Sequence, residues 1–303
     1  MNLNEEVRDD YVISAEMKKM WAVQMDLLEQ VDQLCKRHDL KYFADGGTCL
    51  GAARHHGFIP WDDDIDLIMF YDDFVKFCDF AKKELKEPYS FQFWDTEDGF
   101  SPRHAKVRRT DTACFTGWDL EMSPEGNRGI FIDIMPMYNV PDDDKKFEAQ
   151  QKKLKKLKRI FECYQVDRAI KKFGVQKTKY KAKMQLKWKF YSLFTTPEKI
   201  CQKFIDVASS EKGITKRVGP TTFDPGSPKL MWKLVWRREV FADSVDMPFE
   251  DRTIPVPVGY DERLTVQYGD WHKVVKNGSN HSSLHYSADI PYPEFLKKLK
   301  AEA

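Results

Sequence analysis

The sequence predicts an α+β protein: a mixed β-sheet with helices packed on it and a basic helical insertion. Three observations predict it. Apolar residues recur at three-four spacing over residues 14–38 and 72–86, short strand-like runs lie between and after these stretches, and one lysine-rich block keeps helical periodicity. The 303 residues, 42% hydrophobic, suffice for one substantial core or a core with an appended subdomain. Charged residues reach 32%, but the formal net charge is +1, so no global attraction to nucleic acid is expected.

Each element has a local reason. Ser14 is a fitting N-cap for the first helix, and Glu16 places a negative charge in its first turn. Met17, Met20, Trp21, Leu27, Leu28, Val31, Leu34 and Cys35 then line one face. A strand over 41–44 runs into Asp45-Gly46-Gly47-Thr48, where Thr48 is expected to cap a helix of 49–55 that Gly57 ends. A turn over 60–63 feeds a strand over 65–70. The helix of 72–86 should turn Phe74, Phe77, Cys78, Ala81 and Leu85 inward. Further strands are expected over 90–94, 104–109 and 130–135.

Residues 145–189 hold 17 Lys plus Arg against 3 acidic residues, and Leu154, Leu157, Ile160, Phe161 and Tyr164 keep helical spacing there. This is the expected insertion. Proline and glycine punctuation returns at Gly213, Gly219-Pro220 and Pro225-Gly226. Residues 252–258 alternate like an edge strand, where prolines are tolerated, and helical segments close the chain. The division expected is 1–40 as a helical segment on the core, 41–140 as the core, 141–215 as the insertion and 216–303 completing the core.

The six cysteines form no C-x-x-C pair, and their wide spacing suits reduced thiols rather than a zinc site or a disulfide framework. His55, His56, His281 and His285 show no zinc spacing either. The acidic, polar amino terminus does not read as a signal peptide, and no run of about 18 apolar residues occurs. The expected location is cytoplasmic. The basic block suits a peripheral contact with the inner face of an anionic membrane, about 1 kcal/mol per basic residue near such a surface.

The chemistry concentrates in Gly46-Gly47-Thr48 and the Trp61-Asp62-Asp63-Asp64-Ile65-Asp66 run. On a strand Asp64 and Asp66 point one way and Ile65 the other, so two carboxylates can grip one divalent cation; magnesium, or manganese, takes such oxygen ligands and shares its sphere with substrate phosphates. The glycines let backbone approach a phosphate, and the N–H groups opening the next helix offer donors. In Phe131-Ile132-Asp133-Ile134-Met135 a carboxylate stands among apolar neighbours, which calls for neutralisation, hydrogen bonds or a metal. With the two strands adjacent, Asp64, Asp66 and Asp133 converge. An EF-hand fails, because Leu67 and Asp73 stand where glycine and glutamate belong.

The run from Gly46 to Asp66 resembles the signature of the LicD family of phosphocholine transferases, a family related to fukutin-type ribitol-phosphate transferases. Phe131-Ile132-Asp133-Ile134-Met135-Pro136, Pro257-Val258-Gly259-Tyr260-Asp261 and Tyr268-Gly269-Asp270-Trp271 are similar to further family motifs in the same order. The resemblance implies a nucleotidyltransferase-like fold in which Asp64, Asp66 and Asp133 hold magnesium. It also implies a CDP-alcohol donor, CDP-choline above all, and a glycan or glycolipid acceptor whose hydroxyl attacks the distal phosphorus and releases cytidine monophosphate. On this reading Asp133 accepts the hydroxyl proton, Arg54 and Lys106 clamp donor phosphates, and Trp61, Tyr268 and Trp271 face a quaternary ammonium. The same carboxylates would also serve a nucleotidyltransferase or a DxD-type sugar transferase. An inactive glycan-binding relative is the non-enzymatic alternative.

Overall fold

Local capping and the apolar periodicities do most of the work of placing the elements. A computed structural model describes residues 1–220, 232–276 and 284–302; His281 and the Pro225-Gly226 punctuation lie outside them. In chain order the elements are β1 (Glu6–Arg8), β2 (Tyr11–Ile13), α1 (Ala15–Arg37), β3 (Phe43–Ala44), α2 (Gly46–His55), β4 (Asp66–Phe70), α3 (Tyr71–Glu84), β5 (Tyr89–Gln92), β6 (Ala105–Arg109), β7 (Ala113–Phe115), α4 (Gly117–Met122) and β8 (Phe131–Val140). Then come α5 (Asp144–Phe173), α6 (Lys179–Tyr191), α7 (Pro197–Ala208), β9 (Arg217–Gly219), β10 (Trp236–Arg237), β11 (Ser244–Phe249) and β12 (Arg252–Pro257). A helix over Tyr260–Tyr268, β13 (His285–Ser287) and a helix over Tyr292–Glu302 follow.

The seven-stranded mixed sheet is organised around β8. Its first half runs parallel to β4 on one side, with Asp66 opposite Asp133, and antiparallel to β6 on the other, with Lys106 opposite Asp133. Its last three residues pair with β9 instead. β3 closes onto β4, β5 onto β6 and β10 onto β9. The expected α+β architecture is therefore the observed one.

Ser14 caps α1 as expected, its hydroxyl accepting the Met17 N–H at 3.2 Å. The apolar face of α1 packs on β6 and β8, with Met20, Trp21, Leu27, Val31 and Leu34 wholly buried in the main core. The lysine-rich block is helical: α5, α6 and α7 share a second core around Val166, Ala169 and Trp188. The 252–258 stretch is β12, paired in a two-stranded ladder with β11. All six cysteines are buried free thiols. Among the described residues no helix is long and apolar enough to cross a membrane.

Several expected boundaries move. Thr48 does not cap a helix beginning at residue 49. The helix starts at Gly46, because the Asp45 carbonyl already accepts the Cys49 N–H at 3.0 Å, and the Thr48 hydroxyl turns to the Asp66 N–H at 2.8 Å. Gly57 is not the left-handed terminator; His56 is, at φ 55°. Gly57 is needed for close approach, since a Cβ there would lie 2.3 Å from Glu250 Oε1. The strand expected over 90–94 stops at Gln92, where the Phe93 N–H bonds the Thr96 hydroxyl at 2.8 Å and turns the chain. α3 ends at Glu84, with Leu85 extended and only half-buried, and the strand expected to end at Met135 continues to Val140.

Candidate active site

Two chain reversals bring the acidic residues to one end of the sheet. The backbone of β3 leaves through Asp45, whose N–H bonds the Asp66 carbonyl at 2.9 Å, so the opening of α2 is tied to the opening of β4. Asp66 is held from the other side by the Thr48 hydroxyl. On β8 the Asp133 N–H bonds the Ile65 carbonyl at 2.9 Å. Asp66, Asp133 and Lys106 thus form one row across β4, β8 and β6, with neighbouring strands about 4.8 Å apart.

The glycines fit closely against this row. Gly46 takes φ +51°, and a Cβ on it would sit 3.2 Å from Asp66 Oδ2. On Gly47 a Cβ would meet Asp62 Oδ2 at 2.3 Å. Two carboxylates therefore face the first turn of α2, where helix N–H groups open toward anions. In a Gly47→Ala protein Asp62 must be displaced; we expect kcat/KM to fall by about 10²-fold, as misplacement near reacting atoms does, while thermal unfolding moves by only a few degrees. Normal kinetics in this variant would show that the contact is incidental.

The acidic turn is supported from beneath. Trp21 Nε1 donates to the Asp62 carbonyl at 3.0 Å and Gln24 Nε2 to the Asp63 carbonyl at 2.8 Å. One oxygen each of Asp62, Asp63 and Asp64 lies within 4.8 Å of the others, the one such three-residue grouping among the described residues. By sequence Asp62 and Asp63 read equally well as a solvated turn and as part of the chemistry; the structure groups them with Asp64.

Electrostatics separate the two strand carboxylates. Burial first, then the charges of Asp64 and Asp133, hold the Asp66 carboxyl well above its ordinary value. Burial pushes Asp133 the same way, but Lys106 and His104 outweigh it and keep Asp133 below the usual range. The Lys106 ammonium straddles the Asp133 carboxylate at 2.7 and 2.9 Å, and its own pKa is lowered mainly by burial. His104 Nε2 stands 3.6 Å from Asp133, and burial pushes its pKa down to about 4. An all-carboxylate oxygen donor set whose members raise one another's pKa, as Asp64 and Asp133 do for Asp66 after burial, suits a hard divalent cation such as magnesium, which relieves that repulsion.

Other expected site residues divide. Tyr268 belongs here: its hydroxyl lies 4.0 Å from a Cβ built on Gly46, and burial followed by the neighbouring Asp45, Asp62 and Asp66 charges raises its pKa against the pull of Arg263. Trp61 is half-buried, edge-on to Tyr11 at 5.8 Å and to His55 at 6.3 Å. Trp271 is core, its Nε1 donating to Asp261 at 3.0 Å and its ring stacked on His272 at 3.9 Å. Arg54 lies at the opposite end of α2, about 12 Å from Gly46 by helix rise. It donates there to the Trp271 and Lys273 carbonyls at 2.8 and 3.1 Å. The structure does not bring Arg54 to the glycine turn.

Sequence reasoning missed three features. Asp45, at the N-cap of α2, spends its carboxylate on Arg263, a buried pair with Nε at 3.0 Å, and makes no side-chain cap. His104 was legible only as part of a strand. A cavity of about 190 Å³ beside Lys106 is lined by His104, Arg108, Arg128 and Arg168 among others. Arg108 there is pushed down to about 10 by burial and by Arg128.

Such a mixed sheet, with acidic residues opening β4 and β8 against a glycine turn, defines a nucleotidyltransferase-like protein. Residues 39–158 match the family model for the LicD/FKTN/FKRP nucleotidyltransferase domain, so this stretch is a LicD-family domain. The lipopolysaccharide cholinephosphotransferase LicD of Haemophilus influenzae is 29% identical over 278 residues, 85% of this chain and 92% of the relative. Mouse ribitol-5-phosphate transferase FKTN is 26% identical over 136 residues, 45% of this chain and 25% of its own. Human ribitol 5-phosphate transferase FKRP is 50% identical over 34 residues, 11% of this chain and 7% of its own.

Proposed function

We propose that this protein transfers phosphocholine, or a similar alcohol phosphate, from a CDP-linked donor to a hydroxyl of a glycan or glycolipid, with magnesium as cofactor. The observation that carries this reading is the row of Asp66, Asp133 and Lys106 beside the Gly46-Gly47 turn. Likeness to the Haemophilus phosphotransferase along nearly its whole length supports the reaction class.

Asp64 and Asp66, with Asp62 and Asp133 nearby, are the residues that would hold magnesium; bound there, the ion would neutralise charge developing on the transferring phosphoryl group. The residues of the chain do the rest. The α2 N–H groups and the close glycine backbone receive donor phosphate oxygens. Lys106 keeps Asp133 ionised, so Asp133 accepts a hydrogen bond from the attacking hydroxyl and takes up its proton as the new bond forms. Its lowered basicity suits orientation more than early proton removal. The acceptor oxygen bonds the distal phosphorus, the bond from that phosphorus to the bridging oxygen breaks, and cytidine monophosphate departs with the electron pair. Tyr268, whose hydroxyl lies near Gly46, is the aromatic residue that would face the donor's alcohol.

The test is incubation with magnesium, a panel of CDP-alcohols and candidate glycans. We expect cytidine monophosphate to be released in step with phosphate-alcohol appearing on the glycan. Release of pyrophosphate or of a nucleoside diphosphate from other nucleotide donors would assign the site to nucleotidyl or sugar transfer instead.

A further inference from the structure

The helix α6 shows two opposed faces. Met184 and Trp188, one turn apart, are buried against α5. On the other side Leu186 and Phe190, also one turn apart, are 69% and 60% exposed, and the turn that follows adds Leu193 and Phe194, each 74% exposed. Phe190 and Phe194 meet edge to face at 5.5 Å, so these rings cluster with each other rather than with the body of the protein. A contiguous apolar strip of this kind on a solvent-facing helix marks an interaction surface.

The charge around the strip specifies the partner. No acidic residue occurs between Asp167 and Glu198, whereas Lys177, Lys179, Lys183, Lys187 and Lys189 flank or punctuate the exposed face. Lys181 turns inward to Glu121. A second copy of the chain would bring the same lysines against these and be repelled. A neutral protein groove would leave them unanswered. An anionic bilayer answers both features, since apolar side chains enter the headgroup boundary while lysine stems reach phosphates at the same level.

We propose that α6 and the turn after it, residues 179–194, form an interfacial docking element for an anionic phospholipid membrane, with Leu186, Phe190, Leu193 and Phe194 inserted and the surrounding lysines on the headgroups. This docking is independent of the transfer reaction proposed above. It would place the carboxylate site near membrane-borne acceptors.

The probes are vesicles of phosphatidylcholine alone and vesicles with about one part in four phosphatidylglycerol. The full chain should sediment with the second kind and stay in the supernatant with the first. The Leu186→Ser/Phe190→Ser variant and the Lys183→Glu/Lys187→Glu/Lys189→Glu variant should each bind at least tenfold more weakly. Both change only exposed positions, so far-ultraviolet circular dichroism and thermal midpoint should match the parent. A Phe190→Trp variant should shift its emission to the blue on the anionic vesicles. Failure of the parent chain to bind anionic vesicles at low salt would overturn the proposal. So would undiminished binding by the serine variant, or a concentration-dependent dimer that the serine variant abolishes, which would make the strip a contact between copies. A failed transferase assay leaves these outcomes unaffected.

Discussion

An Asp66→Asn protein should lose at least about 10³-fold in turnover while melting a few degrees higher than the parent in the absence of divalent cations. Both effects come from the same cause. The half-buried Asp66 carboxyl lies beside Asp64 and Asp133, and desolvation followed by their charges holds its pKa well above the ordinary 3.8. An acid with a higher pKa folded than unfolded binds its proton more tightly when folded. Stability therefore falls as pH rises from about 3.8 through the folded value. The parent bears that cost wherever its carboxyl is charged, and the amide removes it. Adding magnesium should raise the melting temperature of the parent and leave the variant nearly unmoved. Thermal melts from pH 4 to 8, with and without magnesium, test this directly. A variant less stable than the parent at every pH would mean that Asp66 is a structural hydrogen-bond acceptor.

The second large effect is expected at Arg263. Its guanidinium is buried, stacked on the Trp236 ring at 4.0 Å and bonded to the buried Asp45 carboxylate. Arg263→Met leaves that carboxylate without its cation, a change that costs about 3–5 kcal/mol. Chemical denaturation should show the loss as a lower midpoint with an unchanged slope. The double variant Asp45→Asn/Arg263→Met should recover much of it, because the uncompensated charge rather than the lost contact dominates. Without such recovery, packing of Arg263 on Trp236 would be the main contribution.

What the sequence disclosed followed the range of the interactions involved. α1 was legible because its cap and its apolar face are local patterns, and the basic helices because their spacing survives among the lysines. Strand alternation beside a glycine turn pairs Asp64 with Asp66; β4 begins only at Asp66, and the nearness of the two shows in the pull of the Asp64 charge on the Asp66 carboxyl. Asp133 was visible as a lone acid in an apolar strand, but its place opposite Asp66 depends on β4 and β8 lying side by side, which no local pattern encodes. The placements that no local pattern gave have the same origin. Thr48 reads as a cap by residue type, yet its hydroxyl is taken by Asp66, 18 positions away. Arg54 follows the glycine motif closely in sequence, but eight residues of helix carry it from Gly46 to carbonyls more than 200 positions later. Lys106 reads as a phosphate clamp; the fold adds a contact that no local pattern encodes, its ammonium resting on Asp133 across neighbouring strands.

The tryptophan and glutamine that reach up from α1 have a practical consequence. The stretch shared with the family begins at residue 39, after that helix has ended. A fragment that begins at residue 39 and keeps the rest of the chain would retain every aspartate discussed above and lose the scaffold that fixes the main chain of Asp62 and Asp63. Such a fragment should be poor at both ion capture and turnover, and supplying residues 1–38 as a separate peptide should restore part of each.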